Sequence, residues 1–191
     1  MRTVAIVFIL AATLVAQKAA THKVTGPAMA KVSIEVFSDY QCPGCKELYE
    51  KTVKPLLAEY GTRIRFTHRE FPLPIHAYAR EAACFACAAD RIGKYEQVCD
   101  ALFRDQDNWS RTGKVAESAC SAVSPAEAKR LRELAQDASV KNEIESDLRL
   151  GAQRGLAGTP TLFISNGGNT YRYGIVSYPI LRRAVESFLA H

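Results

Sequence analysis

The sequence predicts an α/β fold in which an all-helical segment separates two halves that each contain strands. Residues 32–37 and 64–69 alternate apolar and polar side chains as strands do, with a helical pattern between them. Helical periodicity dominates residues 76–153, and two short strands and a helix follow in residues 161–189. This order indicates a strand–helix–strand half and a strand–strand–helix half with helices inserted between them.

Composition favours one compact domain after an N-terminal targeting segment. The chain has 191 residues, of which 48% are hydrophobic and 24% charged, a balance typical of globular proteins rather than disordered or fibrous ones. The formal charge is +5, but Lys and Arg are interspersed with Asp and Glu, and no basic run alternates with aromatic residues. We therefore expect no nucleic-acid binding.

Residues 1–20 have the pattern of a secretion signal. Arg2 supplies a positive start, and residues 4–16 are apolar except for Thr13. This stretch is shorter than the ~20 apolar residues that a transmembrane helix needs. Retention as a membrane anchor and a buried first helix are the alternatives. The signal predicts export to the periplasm or cell envelope, where disulfides persist.

The first half begins with a strand at residues 32–37 that leads directly to Cys42. A helix follows from Pro43, with apolar residues at three- and four-residue spacing, a bend expected at Pro55 and an end at Gly61. Residues 64–69 form the second strand. A strand–helix–strand unit of this kind predicts two parallel strands joined by a right-handed crossover.

The middle of the chain is predicted to be helical, and the last part returns to strands. Helices are expected at residues 78–91, 95–103 and 139–153, and another begins at Ser124, a good N-cap. In the last part, residues 166–169 (Asn-Gly-Gly-Asn) predict a hairpin between strands 161–165 and 170–173, and a closing helix follows from Ser177 to Leu189. We divide the chain into residues 1–20, 21–74, 75–156 (the helical insertion) and 157–191.

The segment Cys42-Pro43-Gly44-Cys45 has the spacing and the position of a redox-active dithiol. The start of a helix stabilises a thiolate through unpaired N–H groups and the helix dipole. Cys42 is expected there as the more exposed, attacking sulfur, and Cys45 one turn later as the resolving one. Three other interpretations are weaker: half of a zinc site, a purely structural disulfide and two unpaired core thiols.

Several motifs together resemble the DsbA-like thiol–disulfide oxidoreductases. They are residues 37–45 (FSDYQCPGC), 69–74 (REFPLP), 93–95 (GKY), 100–103 (DALF) and 158–163 (GTPTLF). The resemblance runs from about Val32 to the C-terminus and implies a thioredoxin-like fold with a helical insertion, no bound cofactor and no metal. It also implies a cis peptide bond at Thr159-Pro160, facing the active cysteines, where the backbone pairs with substrate. A proline that merely begins a strand is the alternative.

Two positions depart from the pattern of that family. Many relatives have a buried acid six residues before the first active cysteine, where this chain has Val36, and Glu35 should point to the opposite face of the strand. The oxidising relatives often have a histidine at the position of Gly44. Because glycine has no side chain to stabilise a thiolate, we expect a less depressed pKa for Cys42 and a weaker oxidant.

Four further cysteines, Cys84, Cys87, Cys99 and Cys120, lie in the helical insertion. Three complete pairings are possible, and a structural disulfide between Cys99 and Cys120 is the one we favour. A second catalytic pair at Cys84 and Cys87 is the alternative, but cysteine among alanines is more often a small core residue. Trp109 is expected in the core, and His68 and His76 are interpreted as packed or solvated residues rather than catalysts.

The predicted function is dithiol oxidation of cysteine-containing exported proteins through Cys42 and Cys45. The resemblance implies reoxidation by a quinone-linked membrane partner that is DsbB-like or of the vitamin K epoxide reductase type (VKOR-like). A monomer is expected, since no separate dimerisation segment is found. The alternatives are an envelope reductase or isomerase, and a redox-inert binding protein or chaperone.

Overall fold

The computed structural model describes residues 22–190, so the predicted signal segment lies outside the described residues. A mixed sheet has the strand order β1-β3-β2-β4-β5. Its strands are β1 (Val24–Thr25), β2 (Val32–Ser38), β3 (Ile64–Glu70), β4 (Thr161–Ser165) and β5 (Thr170–Tyr173). The strands predicted from the sequence are confirmed, whereas β1 is too short for its alternation to be recognised.

The pairing of β2 with β3 is parallel, as the strand–helix–strand pattern predicted. Their register places Val36 beside His68 and Ser38 beside Glu70. β1 pairs with β3, β4 with β2 and β5 with β4, all antiparallel. β2 is therefore a central strand, and Cys42 follows shortly after its carboxyl end.

Helices pack against the sheet, and they form most of the chain between β3 and β4. They are α1 (Pro43–Leu48), α2 (Lys54–Tyr60), α3 (Ala79–Arg91), α4 (Tyr95–Arg104), α5 (Gln106–Thr112), α6 (Val115–Cys120), α7 (Pro125–Ala135), α8 (Ala138–Gln153) and α9 (Tyr178–Ala190). Among them, α8 contacts β3, and α9 contacts β2 and β4. Within residues 22–190 no helix is both long and apolar enough to cross a membrane.

The helix that follows Cys42 is interrupted by a wider turn. A π-helical segment (Tyr49–Val53) joins α1 to α2, and the N–H of Lys54 donates to the carbonyl of Tyr49. Pro55 lies in the first turn of α2, where its missing N–H is tolerated. The expected bend thus takes the form of a widened turn before the proline, because Pro55 cannot donate the next helical hydrogen bond.

The inserted helices pack around α3, which contacts α4, α6, α7 and α8. Trp109 is fully buried as predicted, and its Nε1–H donates to the carbonyl of Leu102 at 2.7 Å. Ser124 and Glu127 form the predicted capping box at the start of α7. The α/β fold with a helical insertion is confirmed, and the residue boundaries of that insertion as a separate unit stay a prediction.

Candidate active site

Cys42 and Cys45 lie where β2 passes into α1. Cys42 is the N-cap residue and Pro43 begins the helix. The N–H groups of Cys45 and Lys46 donate to the carbonyl of Cys42 at 3.1 and 3.2 Å. Cys42 is partly exposed and Cys45 is 1% exposed, so solvent and substrates reach the first sulfur and not the second.

The two thiols differ strongly in acidity. A hydrogen bond from the Cys45 thiol, with help from the backbone N–H groups of Cys45 and Gly44, lowers the pKa of Cys42 to about 5. Burial and the neighbouring Cys42 raise the pKa of Cys45 far above its usual range. At neutral pH Cys42 is therefore the thiolate, and Cys45 keeps its proton.

The absence of a histidine at Gly44 leaves the Cys42 thiolate dependent on these neutral donors. Its pKa of about 5 lies between the values of about 3.5 for DsbA and about 7 for thioredoxin. The expectation of a less depressed pKa than in the most oxidising relatives stays a prediction.

The Thr159-Pro160 loop faces the cysteine pair. Its peptide bond is cis, as the resemblance implied. The Sγ of Cys42 lies 3.4 Å from the carbonyl oxygen of Thr159. The Oγ1 of Thr159 is buried with no hydrogen-bond partner among the described residues. The structure thus brings Cys42, Gly44 and Pro160 together from distant parts of the chain.

A buried carboxylate supports the active-site loop. Asp39 accepts hydrogen bonds from the backbone N–H groups of Gln41 (2.7 Å) and Leu73 (2.8 Å) and pairs with His76 Nδ1 at 2.7 Å. The backbone N–H of Asp39 also points to the Sγ of Cys45 at 3.4 Å. Asp39 is visible in the sequence only as part of a motif, and its pairing with His76 is not predictable from the sequence because the two are 37 residues apart.

The inserted helices also hold this loop. Gln106, at the start of α5, donates from Nε2 to the carbonyls of Tyr40 (2.6 Å) and Cys42 (3.1 Å). Gln106 is buried, and no sequence signal singled it out. The insertion therefore fixes the backbone next to the reactive sulfur.

Glu35 and Val36 lie on opposite faces of β2, as the alternation predicted. Val36 is 3% exposed in the core. Glu35 binds Arg69 at 2.9 Å and Arg154 at 2.6 Å on the other face. Glu35 thus forms surface ion pairs and does not replace the missing acid at Val36.

The disulfide favoured between Cys99 and Cys120 is not formed, and the two thiols have different surroundings. Cys99 is fully buried, with its Sγ 2.9 Å from the hydroxyl of Tyr40 under the active-site loop. Cys120, at the end of α6, directs its Sγ to the carbonyl of Ala128 in α7 at 3.8 Å. All six cysteines are free thiols in this structure, Cys42 and Cys45 included, so a disulfide between Cys99 and Cys120 stays a prediction.

Cys87, inside α3, lies in a second, buried cluster. Its Sγ is 3.4 Å from the Nζ of Lys23. The same ammonium lies 2.6 Å from Glu143, 3.3 Å from Asp147 and 3.7 Å from Glu70. We call these five residues the Lys23 cluster. Cys84, one turn earlier on α3, is 8% exposed, so both thiols are core residues as favoured above.

Burial sets the acidity of the Lys23 cluster. Both carboxyl oxygens of Glu70 are buried without a hydrogen bond from any described residue, and burial raises the pKa of Glu70 to about 8 despite the nearby ammonium of Lys23. Burial also raises the pKa of Cys87 well above its usual range. Neither group resembles the acidic thiol at Cys42.

Comparisons with known proteins agree with this geometry. The family model described as thioredoxin matches residues 18–172. A thioredoxin-like oxidoreductase from Silicibacter pomeroyi is 25% identical, covers 90% of this chain and 94% of its own, and has a TM-score of 0.73. Wolbachia pipientis α-DsbA1 is 16% identical with a TM-score of 0.70 and coverages of 87% and 89%. Bacillus subtilis BdbD is 20% identical with a TM-score of 0.69 and coverages of 90% and 94%.

Two curated relatives are much longer than this chain. The Na(+)/H(+) antiporter NhaA 3 of Salinispora tropica is 30% identical over 80% of this chain, and NhaA 1 of Salinispora arenicola is 29% identical over 87%. The chain spans 23% and 24% of their lengths, so it resembles only part of each. Because the thioredoxin model covers most of the sequence and the three solved structures share the fold, the chain belongs to the thioredoxin family, with a DsbA-like architecture.

Proposed function

We propose that this protein is a dithiol oxidase that donates the Cys42–Cys45 disulfide to cysteine-containing polypeptides. The observation that carries the proposal is the contrast in acidity between the two sulfurs. Because the pKa of Cys42 is lowered to about 5, its thiolate is stable at neutral pH. Stabilisation of the reduced form makes the disulfide a better oxidant.

The reaction consists of two exchanges. A substrate thiolate attacks Cys42 of the oxidised protein, a mixed disulfide forms, and Cys45 leaves and takes up a proton, as its raised pKa favours. A second substrate thiolate then attacks the substrate sulfur of the mixed disulfide, and Cys42 leaves as the stable thiolate. The substrate loses two electrons and gains a disulfide, and the protein ends as the dithiol.

The substrates and partners of this reaction follow from the family resemblance and the predicted signal. We propose exported proteins with free cysteines as substrates, in the periplasm or cell envelope. A DsbB-like or VKOR-like quinone-linked membrane protein would remove the two electrons from the dithiol. Substrate backbone would pair beside Thr159 and Pro160, and the protein would act as a monomer.

The reduction potential of the Cys42–Cys45 couple tests the proposed direction. It is measured against glutathione in a variant in which Cys84, Cys87, Cys99 and Cys120 are replaced by Ala, so that only one couple titrates. We expect a potential closer to about −120 mV, as in DsbA, than to about −270 mV, as in thioredoxin. A value near the thioredoxin potential would make the protein a reductase.

A binding or chaperone role without disulfide exchange is tested by alkylation. Iodoacetamide at Cys42 blocks every exchange step, because the attacked sulfur is no longer available. We expect the alkylated protein to lose all activity towards reduced, unfolded polypeptides. Retention of its effect on their folding or aggregation would support the binding role instead.

A further inference from the structure

A cavity of about 310 Å³ lies against the edge of the sheet that β1 and β3 form. Thr25 is paired with Phe66, and His68 follows two residues later on β3, so these three side chains share one face of the sheet. Tyr49 of the π-helical segment and Tyr95 of α4 also line the cavity. The cysteine pair of the active site is not part of this lining.

Two residues of the cavity wall have a buried polar atom with no hydrogen-bond partner among residues 22–190. These atoms are Nε2 of His68 and Oγ1 of Thr25. The ring of His68 is only 3% exposed, and it is fixed by stacking on Tyr40, with 5.7 Å between the ring centroids, and by an edge contact with Tyr95. Because an unpaired buried polar atom is unfavourable, a fixed imidazole of this kind indicates a group that a ligand can bind.

The charges around the cavity favour a neutral ligand. Lys54 and Glu96 both line it, so its wall has no net formal charge, and the Nζ of Lys54 is already bound by both carboxylate oxygens of Asp100 at 2.7 and 2.8 Å. Burial lowers the pKa of His68 to about 3, so the imidazole is neutral at pH 7. A charged ligand would lose its hydration without meeting a net opposite charge.

The volume and the aromatic wall define the size and the chemical class of the ligand. An apolar cavity of about 150 Å³ holds benzene, so this cavity has room for two fused aromatic rings. Tyr49, Phe66 and Tyr95 offer aromatic surface for such rings. A neutral imidazole donates or accepts at Nε2 according to its tautomer, and a hydroxyl group can match either one.

We propose that this cavity binds a small, neutral aromatic alcohol whose hydroxyl group is hydrogen-bonded to Nε2 of His68. The aromatic rings of the ligand pack against the tyrosine and phenylalanine side chains of the wall. This binding site is additional to the proposed disulfide exchange and does not depend on it.

Two fluorescent probes, 2-naphthol and naphthalene, test the proposal because they share two fused rings and differ only by the hydroxyl group. Each probe is titrated with the purified full-length protein, and its dissociation constant is measured from the probe fluorescence. One added hydrogen bond should make 2-naphthol bind about fivefold more tightly than naphthalene. His68→Phe keeps an aromatic ring beside Tyr40 but removes Nε2, and it should reduce this ratio to less than about twofold.

A second variant tests the location of the probes. Ala58, an exposed residue of α2, lines the cavity, so Ala58→Trp should obstruct its opening and weaken the binding of both probes at least about tenfold. The matched control is Ala126→Trp, at an exposed position of α7 outside the cavity, which should leave both dissociation constants within about twofold. Alkylation of Cys42 should also leave them within about twofold, which distinguishes the cavity from the surface around the cysteines.

Each part of the proposal has an outcome that would overturn it. If neither probe binds to the wild type, the site is wrong. Equal affinities for the two probes overturn the requirement for a hydroxyl group, and a fivefold ratio retained in His68→Phe overturns the role of His68. Unchanged affinities in Ala58→Trp, or affinities lost after alkylation of Cys42, would place the probes elsewhere. If circular dichroism shows that His68→Phe does not fold, Ala58→Trp still decides whether the cavity is the site, because it changes an exposed residue.

Discussion

Cys42 and Cys45 lie at the beginning of a helix, whereas Cys84 and Cys87 lie in the middle of one, although each pair has two residues between its cysteines. The first pair combines an exposed, acidic thiol with a buried one. Burial raises the pKa of both thiols in the second pair. The comparison shows that Cys-x-x-Cys spacing alone does not lower the pKa of a thiol. Cys42 accepts hydrogen bonds from the Cys45 thiol and from N–H groups of the first helical turn, whereas Cys84 and Cys87 are buried inside a helix.

The largest expected effect is on the rate of disulfide exchange, which should depend on the first cysteine pair and not on the second. Cys42→Ser should lower the rate of disulfide exchange at least about ten-thousandfold, because no other sulfur can take over the attacked position. Cys87→Ala in the same helix-rich core should leave the rate within about twofold. Both variants are measured with a fluorescent dithiol peptide. Comparable losses in the two variants would show that Cys87 takes part in the reaction.

The second prediction concerns the structural role of the Lys23 cluster. Lys23→Met leaves Glu143, Asp147 and Glu70 without their buried cation, and the free energy of unfolding should fall by about 3–5 kcal/mol. Urea unfolding measures the change. Lys31→Met, which removes an exposed lysine, is the control and should change it by less than about 0.5 kcal/mol. If the free energy of unfolding fell equally in the two variants, Lys23 would contribute no more to stability than an exposed lysine.

The third prediction uses the pH dependence of alkylation. Because the pKa of Cys42 is about 5, its rate of alkylation should change less than about twofold between pH 7 and 9. The raised pKa values of Cys84 and Cys87 predict rates that rise about tenfold per pH unit over the same range. Mass spectrometry of iodoacetamide-labelled peptides follows each site. A rise in the Cys42 rate parallel to that of Cys84 would show that the helix start does not acidify it.

The smallest expected effect is a change in how the free energy of unfolding depends on pH. Burial raises the pKa of Glu70 to about 8 in the folded protein, whereas an unfolded glutamate titrates near 4.3. At pH values between these two, Glu70 is ionised in the unfolded chain and protonated in the folded protein. The free energy of unfolding therefore falls as pH rises. The contribution of Glu70 reaches about 1.4 kcal/mol per pH unit.

Glu70→Gln should remove this contribution, so that between about pH 5 and 8 the slope of the free energy of unfolding against pH becomes more positive than in the wild type by up to about 1.4 kcal/mol per pH unit. Glu117→Gln, at an exposed position on α6, provides the control and should keep the wild-type slope. An identical slope in the wild type and Glu70→Gln would show that Glu70 is ionised in the folded protein.

The sequence predicted the elements near the cysteines better than the contacts that support them. Alternation in β2 and capping at Ser124 are local properties, and both appear in the structure as expected. The pairing of Asp39 with His76 and the two hydrogen bonds of Gln106 depend on how distant segments pack. Whether Cys99 pairs with Cys120 depends on packing in the same way, since side-chain direction is decided by tertiary packing.

The Lys23 cluster could not be predicted from the sequence for a related reason. Lys23 lies just before a two-residue strand and has no sequence signature of burial. Its 4% exposure results from the meeting of β1, β3, α3 and α8, whose residues are separated by up to 124 positions. Only the folded arrangement shows that a charged residue with an ordinary sequence context lies inside the protein.

The π-helical segment between α1 and α2 sets the alignment of the whole active-site helix. Its Tyr49 hydroxyl donates to Asp100 in the insertion at 2.8 Å, and its Thr52 hydroxyl donates to the carbonyl of Val176, in the loop between β5 and α9, at 2.8 Å. A π turn holds about one residue more than an α turn, so this segment accommodates an extra residue locally. Deleting one residue within Tyr49–Val53 should therefore restore α-helical bonding, whereas a deletion at the start of α2 would rotate the residues beyond it by about 100° and turn the fully buried Leu56 out of the core. The helix is consequently tolerant of a single-residue deletion in its π-helical segment and intolerant of one in α2, even at positions that never contact a substrate.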